Sequence, residues 1–487
     1  MTTSERGTEN GGAATRGGNR GATLALLAFA QLIIALDLNI VFVALPQIGS
    51  ALGFSAHTLQ WVVSVYTVCT GGFLLVGGRA ADVLGQRKTF IFALSLYASS
   101  SLLGALAWRP EVIVAARAIQ GIGGAFLFPA TLSLVNRLFA EGPARNRALA
   151  VWGGAGASGL TIGSLAGGFL TAAFGWSAVF YVNVLLAGVA IVGAFLVIPA
   201  DAKRVKRRSF DLPGALTVTA GTTLLVFALV HGPEEGWQSR MVLVSAALAA
   251  VFLVAFALIE WKSADPLMPL RLFRNRSLLA GMLVTFLYMA TFGTLPYFLT
   301  VLLQNGHRLT ALQTGLAFLV PSVAIFAGTQ AGERLATRFS TRTTLIGGML
   351  LGALGTASMV AGAGVDSTYL SLVPGLVFSG VGQGIVWTAM WIAAASGVHH
   401  DEQGVASGMA STTLNMGNAI GLAVMIAASS QPVDGATGDA LRYAVSDSAR
   451  LAFWLAAAGI AASVPFARML PRAAATKAAS PAEPSAG

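Results

Sequence analysis

Long hydrophobic stretches, separated by short polar segments, run through almost the whole of this 487-residue chain. A helix that crosses a lipid bilayer needs about 20 mainly apolar residues, because every backbone amide must be hydrogen-bonded inside the helix. The pattern therefore predicts an all-α polytopic membrane protein with 14 transmembrane helices. They are expected at residues 23–45, 58–78, 89–107, 111–134, 147–172, 177–198, 214–231, 240–260, 278–302, 311–332, 343–362, 369–396, 404–428 and 449–470.

The composition excludes a soluble protein and the position of the charges predicts the topology. Hydrophobic residues make up 55% of the chain and charged residues only 10%, with a mean hydropathy of +0.73, whereas a soluble fold needs far more surface charge. The net charge of +10 reflects this topology, and does not indicate nucleic-acid binding. Lys and Arg are concentrated in the tails and in alternate connections, which the positive-inside rule places in the cytoplasm together with both termini; these connections are 79–88, 137–147, 203–208, 262–276 and 334–342.

Asp37 is the one acidic residue that lies well inside a predicted helix, about 22 Å along the first one at 1.5 Å per residue. A carboxylate in the membrane costs several kcal/mol unless it is paired or protonated, so it is a candidate for function. Arg117 is its candidate partner, because the two residues lie at similar depths. Asp37 is about 13 Å from the outer end of the first helix, and Arg117 is about 9 Å from the outer end of the fourth. The alternatives are a structural hydrogen bond for Asp37 and snorkelling of Arg117 to the headgroups.

A charged loop, GGRAADVLGQRK, joins the second and third predicted helices at residues 77–88. Its glycines allow close helix contact, and Asp82 could pair with Arg87 or with the start of a neighbouring helix. An ordinary basic loop is the alternative. The motif resembles a loop of the major facilitator superfamily of secondary transporters, and this resemblance implies a conformational latch between two halves of the protein. The latch residues would be Gly78, Asp82, Gly85, Arg87 and Lys88.

Small residues recur in the fifth predicted helix at Gly159, Gly163, Gly167 and Gly168, a spacing that lets helices touch backbone to backbone. This stretch resembles the antiporter motif of drug exporters, although Ser164 replaces the proline of that motif. Other blocks resemble the fourteen-helix drug:proton antiporter branch of the superfamily, so the resemblance covers almost the whole chain. These blocks are 175–184, 211–221, 264–277 and 404–421. Residues 116–125 resemble the fourth-helix motif of the superfamily, whose basic residue is implicated there in proton transfer.

The resemblance implies two six-helix halves with two inserted helices between them. In support, residues 79–87 align without gaps to 334–342, the corresponding position of the second half. Transporters are commonly built from such repeats, with a cavity between the halves. We therefore expect a cytoplasmic tail at 1–22, one half at 23–198, a basic loop with the inserted helices at 199–277, the second half at 278–470, and a disordered tail at 471–487.

Polar and aromatic residues inside the predicted helices are candidates for the substrate cavity, because polar groups in a membrane usually face a bundle interior. Hydrogen bonds between helices are an equally good explanation for any one of them. The candidates are Gln31, Asn39, Trp61, Tyr66, Gln120, Gln383, Trp387, Asn415 and Asn418.

Other kinds of chemistry are not indicated. Cys69 is the only cysteine, which excludes disulfides within the chain and Cys-based metal sites. The chain has no G-x-x-x-x-G-K-[ST] motif for ATP hydrolysis and no metalloprotease or serine-hydrolase motif. We therefore expect no enzyme activity, no cofactor and no metal site.

The expected function is proton-coupled export of small lipophilic compounds, such as drugs or antibiotics, across the plasma membrane by alternating access. The partners would be a small-molecule substrate, protons and the lipid bilayer, with the protein acting as a monomer. A proton-coupled importer or a narrow-specificity metabolite permease of the same fold is the alternative, which Ser164 keeps open. The excess of Arg over Lys and the abundance of Ala and Gly are typical of a GC-rich bacterial genome.

Overall fold

All the predicted hydrophobic stretches form helices in the computed structural model, which describes residues 14–54, 59, 61–201, 211–263, 266, 268–429 and 438–471. The tails and the basic loop are only partly covered, since residues 1–13, 202–210 and 472–487 lie outside the described residues. The α-helices are α1 (Ala14–Leu52), α2 (Trp61–Leu84), α3 (Gln86–Ala105), α4 (Pro110–Leu138), α5 (Pro143–Phe174), α6 (Ala178–Val197), α7 (Leu212–Glu235), α8 (Arg240–Lys262), α9 (Arg276–Thr291), α10 (Leu295–Val301), α11 (Ala311–Ala317), α12 (Leu319–Arg338), α13 (Thr341–Ser358), α14 (Tyr369–Ala395), α15 (Gln403–Ser429), α16 (Asp439–Ala462) and α17 (Val464–Ala467).

Twelve helical segments of the described chain are long and apolar enough to cross a membrane. This confirms the prediction of an all-helical membrane protein. The length and composition of the described helices support twelve spans, whereas the hydrophobic pattern predicted fourteen. The other two long helices are α3, whose 20 residues include more polar side chains, and α5, whose described residues give only the shorter apolar segment Leu165–Phe174. Helix α3 begins with Gln86, Arg87 and Lys88, and α5 carries basic residues in its first turns and many glycines.

Two predicted stretches differ from the helices that form. Helix α1 begins at Ala14, inside the predicted tail, because water outside the bilayer can solvate the free amides of a helix end. The predicted helix at 278–302 is interrupted by a 3₁₀ turn at Phe292–Thr294, after which α10 starts. Pro296 lies in the first turn of α10, where a missing N–H donor costs nothing.

The helices pack as two groups with a hairpin beside them. The first group is α1–α6 and the last group is α9–α17; they meet where α2 contacts α15 and where α5 contacts α12 and α14. The hairpin is formed by α7 and α8, and α7 contacts both α2 and α15. A Cβ atom at Gly72 of α2 would lie 2.0 Å from Oγ1 of Thr223, so this glycine allows α7 to lie directly on α2. We call the end of the bundle that carries residues 79–88, 137–147 and 334–342 the basic end.

Candidate functional site

Asp37 and Arg117 form a completely buried ion pair between α1 and α4. A guanidinium nitrogen of Arg117 lies 2.7 Å from Oδ2 of Asp37, and the two side chains are 1% and 0% exposed. The predicted partnership is therefore present in the fold. Removing one member of such a pair leaves an uncompensated buried charge, which is strongly unfavourable.

Polar groups from three further helices complete the surroundings of the pair. Asn183 of α6 donates to Oδ1 of Asp37 at 2.5 Å, and Gln120 of α4 donates to the same oxygen at 3.0 Å. The Gln120 amide also contacts Oγ of Ser101 on α3 at 2.9 Å. Arg117 donates through Nε to the backbone carbonyl of Val62, at the start of α2, at 3.0 Å. The carboxylate is thus held by Asn183, Gln120 and Arg117 at once, and both of its oxygens have hydrogen-bond partners.

Arg117 has partners that do not depend on Asp37. Its guanidinium carbon lies 4.3 Å from the centroid of the Tyr66 ring, a cation–π contact, and it also donates to Oε1 of Gln120 at 2.6 Å. Together with the Val62 carbonyl, these groups can retain the guanidinium when the carboxylate is neutral.

Sequence reasoning missed Asn183 and Ser101 as members of this network. Asn183 is the only amide in the otherwise apolar helix α6, which is a signal that could have found it. Ser101 is one of several serines in α3, and its sequence context does not distinguish it from the others.

Asp82 lies on the start of a helix from the other group. Its carboxylate is completely buried and accepts the backbone N–H groups of Gly404, at 3.0 Å, and Val405, at 2.8 Å. These N–H groups lie in the first turn of α15, where they have no acceptor within the helix and where the helix dipole also favours a negative charge. Gly78 allows the contact, because a Cβ atom there would lie 2.5 Å from the carbonyl oxygen of Gly404. The aspartate of the loop thus joins the two groups at the basic end.

The remaining loop residues hold α3 against the end of α6. Asp201 accepts the backbone N–H groups of Arg87 and Lys88, each at 3.1 Å. Gly85 has a φ of 106° and a Cβ atom there would lie 2.4 Å from the Asp201 carboxylate, so a side chain at this position would displace it. The Arg87 guanidinium donates to the carbonyl of Phe195 at 3.0 Å. These contacts lie within the first group.

The glycines of α5 lie directly on α1, the helix that carries Asp37. Cβ atoms at Gly159, Gly163 and Gly167 would each lie close to a backbone carbonyl oxygen of α1. The distances are 2.7 Å to Leu32, 2.5 Å to Leu36 and 2.9 Å to Ile40, which are on successive turns of that helix. Nothing lies within 4 Å of the equivalent position at Gly168. The first three glycines therefore couple α5 to α1 by backbone contact, and Gly168 does not.

The predicted cavity residues fall into different environments. Tyr66 and Gln120 belong to the ion-pair network described above. Trp61 stacks on Phe227 of α7, with ring centroids 5.8 Å apart, and its ring lies tilted 4.6 Å from that of His231, so it packs against the hairpin.

The others divide between buried and half-buried positions. Gln31 is buried against Gly156 of α5, and Asn415 donates to a carbonyl of its own helix. Gln383 and Trp387 are half-buried on α14 at the junction of the two groups. Asn39 and Asn418 are also half-buried.

The basic end of the junction is closed in this structure. The Asn146 amide of α5 donates to Oγ1 of Thr337 on α12 at 3.1 Å, and Gln330 of α12 donates to the carbonyl of Ala150 on α5 at 3.4 Å. These bonds and the Asp82 contact all cross between the groups at the same end. The geometry is that of a two-part bundle whose parts are hydrogen-bonded to each other at one end, with a buried ion pair in one part.

Comparison with known proteins defines the class to which this bundle belongs. The sequence profile of the Major Facilitator Superfamily matches residues 27–422, and the chain belongs to that superfamily of transporters, which are not enzymes. The fold is that of the human organic anion transporter MFSD10, with a TM-score of 0.65, 16% identity, and coverage of 92% of this chain and 99% of that one.

The similar sequences place the chain in the drug-export branch of the superfamily. The cephamycin export protein CmcT of Amycolatopsis lactamdurans is 34% identical over 90% of this chain and 90% of its own length. The puromycin resistance protein pur8 of Streptomyces alboniger is 35% identical over 82% of this chain and 80% of its own length. The multidrug resistance protein Stp of Mycobacterium tuberculosis is 32% identical over 84% of this chain and 76% of its own length.

Proposed function

We propose that this protein exports small lipophilic compounds, of the drug or antibiotic class, in exchange for protons by alternating access. The observation that carries the proposal is the buried Asp37–Arg117 pair, because a titratable group that is fully enclosed in one half of a two-part bundle can link protonation to conformation. The relatives named for cephamycin export and for puromycin and lincomycin resistance support antibiotics as the class of substrate.

The proton would act by cancelling the charge of Asp37. A neutral carboxyl loses most of its attraction for Arg117, which the Val62 carbonyl, Gln120 and Tyr66 can still hold. Helix α1 is then free to shift relative to α4. Because α1 lies on the glycines of α5, and α5 contacts the last group, a movement of α1 would reach the junction between the groups.

The energy available is sufficient for useful export. One proton that crosses a membrane potential of about 150 mV releases roughly 3.5 kcal/mol, at 2.3 kcal/mol per 100 mV. Since each 1.4 kcal/mol corresponds to a factor of ten, this supports a gradient of a few hundredfold for a neutral solute.

We further propose fourteen crossings, with both termini and the basic end in the cytoplasm. Helices α3 and α5 each join two membrane-spanning helices through short connections, and α3 packs along α4 and α6 while α5 packs along α1. This path supports a crossing of the bilayer by both helices, since backbone exposed to lipid must be helical. The first and last groups would then be the two six-helix halves, and the closed basic end would make this an outward-facing state.

The test is efflux of a fluorescent lipophilic dye from preloaded bacteria that express the wild type, Asp37→Asn or the control Asp447→Asn. The Asp447 side chain is 58% exposed and forms an ion pair with Arg450 of the same helix. We expect efflux by the wild type and by the control, abolished by a protonophore, and no efflux by Asp37→Asn at equal expression. Efflux by Asp37→Asn at the wild-type rate would contradict the proposal.

A further inference from the structure

Five aromatic rings meet at the junction, and they come from both groups of helices. Phe128 and Trp152 belong to α4 and α5 of the first group, while Tyr288, Trp387 and Trp391 belong to α9 and α14 of the last group. We call these five residues the aromatic cluster.

The rings of the cluster contact one another across the junction. The indoles of Trp152 and Trp387 are nearly parallel, at 11°, with centroids 6.4 Å apart, and Trp391 lies edge-on to Trp152 at 5.8 Å. Phe128 contacts Trp391 at 5.7 Å, and Tyr288 contacts Trp387 at 5.5 Å. Trp152 and Trp391 are almost completely buried, whereas Trp387 is half-buried.

Two of the indoles carry hydrogen-bond donors that the closed state leaves unused. Nε1 of Trp387 and Nε1 of Trp391 are both buried without a hydrogen-bond partner, whereas Nε1 of Trp152 donates to Oγ1 of Thr131 at 3.3 Å. Gly153 faces the first of these donors, since a Cβ atom there would lie 2.5 Å from Nε1 of Trp387. An indole N–H is a donor only, so the group it lacks is an acceptor.

The same pattern continues behind Trp391. A narrow gap between α4, α14 and α15 is lined by Trp391, Asn136 and Ser407, and it has no room for a water molecule. Oδ1 of Asn136 and Oγ of Ser407 are also buried there without a partner. Leaving buried polar groups unsatisfied is costly, so the closed junction holds these groups at a cost that separation of the two groups would relieve.

We propose that the aromatic cluster is the binding site, in the state open at the basic end, for planar aromatic compounds that carry a carbonyl oxygen. The inference rests on the proposed function, because the cluster must part by alternating access for a ligand to enter. A planar ring would lie between Trp152 and Trp387, which need to be about 7–8 Å apart to contact both faces at van der Waals distance. Its carbonyl would accept the N–H of Trp387.

Stacking and hydrogen bonding are the contacts that the cluster offers to a ligand. All five members are aromatic and none carries a charge, so the cluster offers stacking surface and hydrogen-bond donors but no carboxylate. In the closed state the indoles of the two groups stack on each other and fill the space that a ligand would occupy.

The probes are 9-fluorenone and fluorene, two planar tricyclic molecules that differ in a carbonyl and a methylene group. Their affinities for the purified full-length protein are measured by equilibrium dialysis for the wild type, Trp387→Phe and the control Trp454→Phe, a tryptophan of α16 that is 55% exposed. A single neutral hydrogen bond predicts that the wild type binds 9-fluorenone about tenfold more tightly than fluorene. Trp387→Phe should abolish that preference while its fluorene affinity stays within about twofold, and Trp454→Phe should keep it.

A cross-link tests whether the site belongs to the open state. Cysteines at Asn146 and Thr337, whose side chains touch across the basic end, are introduced together with Cys69→Ser. The disulfide should abolish binding of both probes, and a reductant should restore it.

Three results would overturn the proposal: no binding of either probe to the wild type, equal binding of the two, or a preference that survives Trp387→Phe. The dye-efflux experiment is run in parallel. Efflux that is independent of protons, with the 9-fluorenone preference present, would refute the proposed function and leave the site standing. Proton-driven efflux, combined with a preference for 9-fluorenone over fluorene that Trp387→Phe does not change, would refute the site alone.

Discussion

Replacing Asp82 with asparagine should open the basic end of the transporter. The carboxylate accepts two backbone N–H groups at the start of α15, so an amide can keep one acceptor but must turn its NH2 group toward the other donor. Losing one charge-assisted bond costs about 1.5–3 kcal/mol, and weakening the second and the dipole interaction adds about 1 kcal/mol. A loss of about 3 kcal/mol raises the population of the open state about a hundredfold, at 1.4 kcal/mol per factor of ten.

The assay is the rate at which a single buried cysteine at position 150 reacts with a membrane-permeant maleimide, in a Cys69→Ser background. Ala150 is completely buried where α5 meets α12, so its labelling rate reports the fraction of open molecules. Asp201→Asn is the matched control, because Asp201 also accepts two backbone N–H groups at a helix start but does so within the first group. We expect labelling to rise about a hundredfold with Asp82→Asn and to stay near the parental rate with Asp201→Asn. An unchanged rate with Asp82→Asn, or an equal rise with both, would refute the reasoning.

Two further predictions follow from backbone contact and from burial. Gly163→Ala should lower the free energy of unfolding by about 1–3 kcal/mol and slow transport, because its Cβ would lie 2.5 Å from the carbonyl of Leu36. Gly168→Ala is the control and should change neither quantity. Thermal unfolding and efflux assays measure the two effects, and equal losses from both variants would contradict this. Burial lowers the pKa of His307, although its contact with the Gly364 carbonyl at 3.2 Å opposes this. Since the folded state favours the neutral ring, stability should be fully present above the ordinary pKa of about 6.5 and fall as the pH drops below it. Thermal unfolding between pH 7.5 and 5.5 should lose part of this pH dependence in His307→Gln, and an identical pH profile would count against it.

The sequence predicts the helices and the ion pair well, because both depend on local rules. Hydrophobic length sets where a helix can span, and a constant rise per residue places Asp37 and Arg117 at similar depths before any fold is known. Composition alone does not give the number of spans, since α3 is rich in polar residues and still forms a helix of 20 residues.

The partners of these residues could not be predicted, because they depend on which helices become neighbours. Asn183 reaches Asp37 from 146 positions away, and the helix start that receives Asp82 lies more than 300 positions along the chain. The contacts of the aromatic cluster could not be predicted either. The sequence shows Trp387 as a tryptophan inside a predicted helix, but its stacking on Trp152 exists only because α5 and α14 meet. Trp61, by contrast, packs on the inserted hairpin, whose position beside α2 depends on Gly72.

The central claim is that Asp37 couples a proton to substrate movement, and proteoliposomes test it most directly. Purified wild type and Asp37→Asn are reconstituted into sealed vesicles, a pH gradient is imposed, and dye accumulation and internal pH are recorded together. The account predicts that the wild type accumulates dye and dissipates the gradient in step, whereas Asp37→Asn binds dye but neither accumulates it nor moves protons. Gradient-driven accumulation by Asp37→Asn, with the same movement of protons as the wild type, would contradict the account.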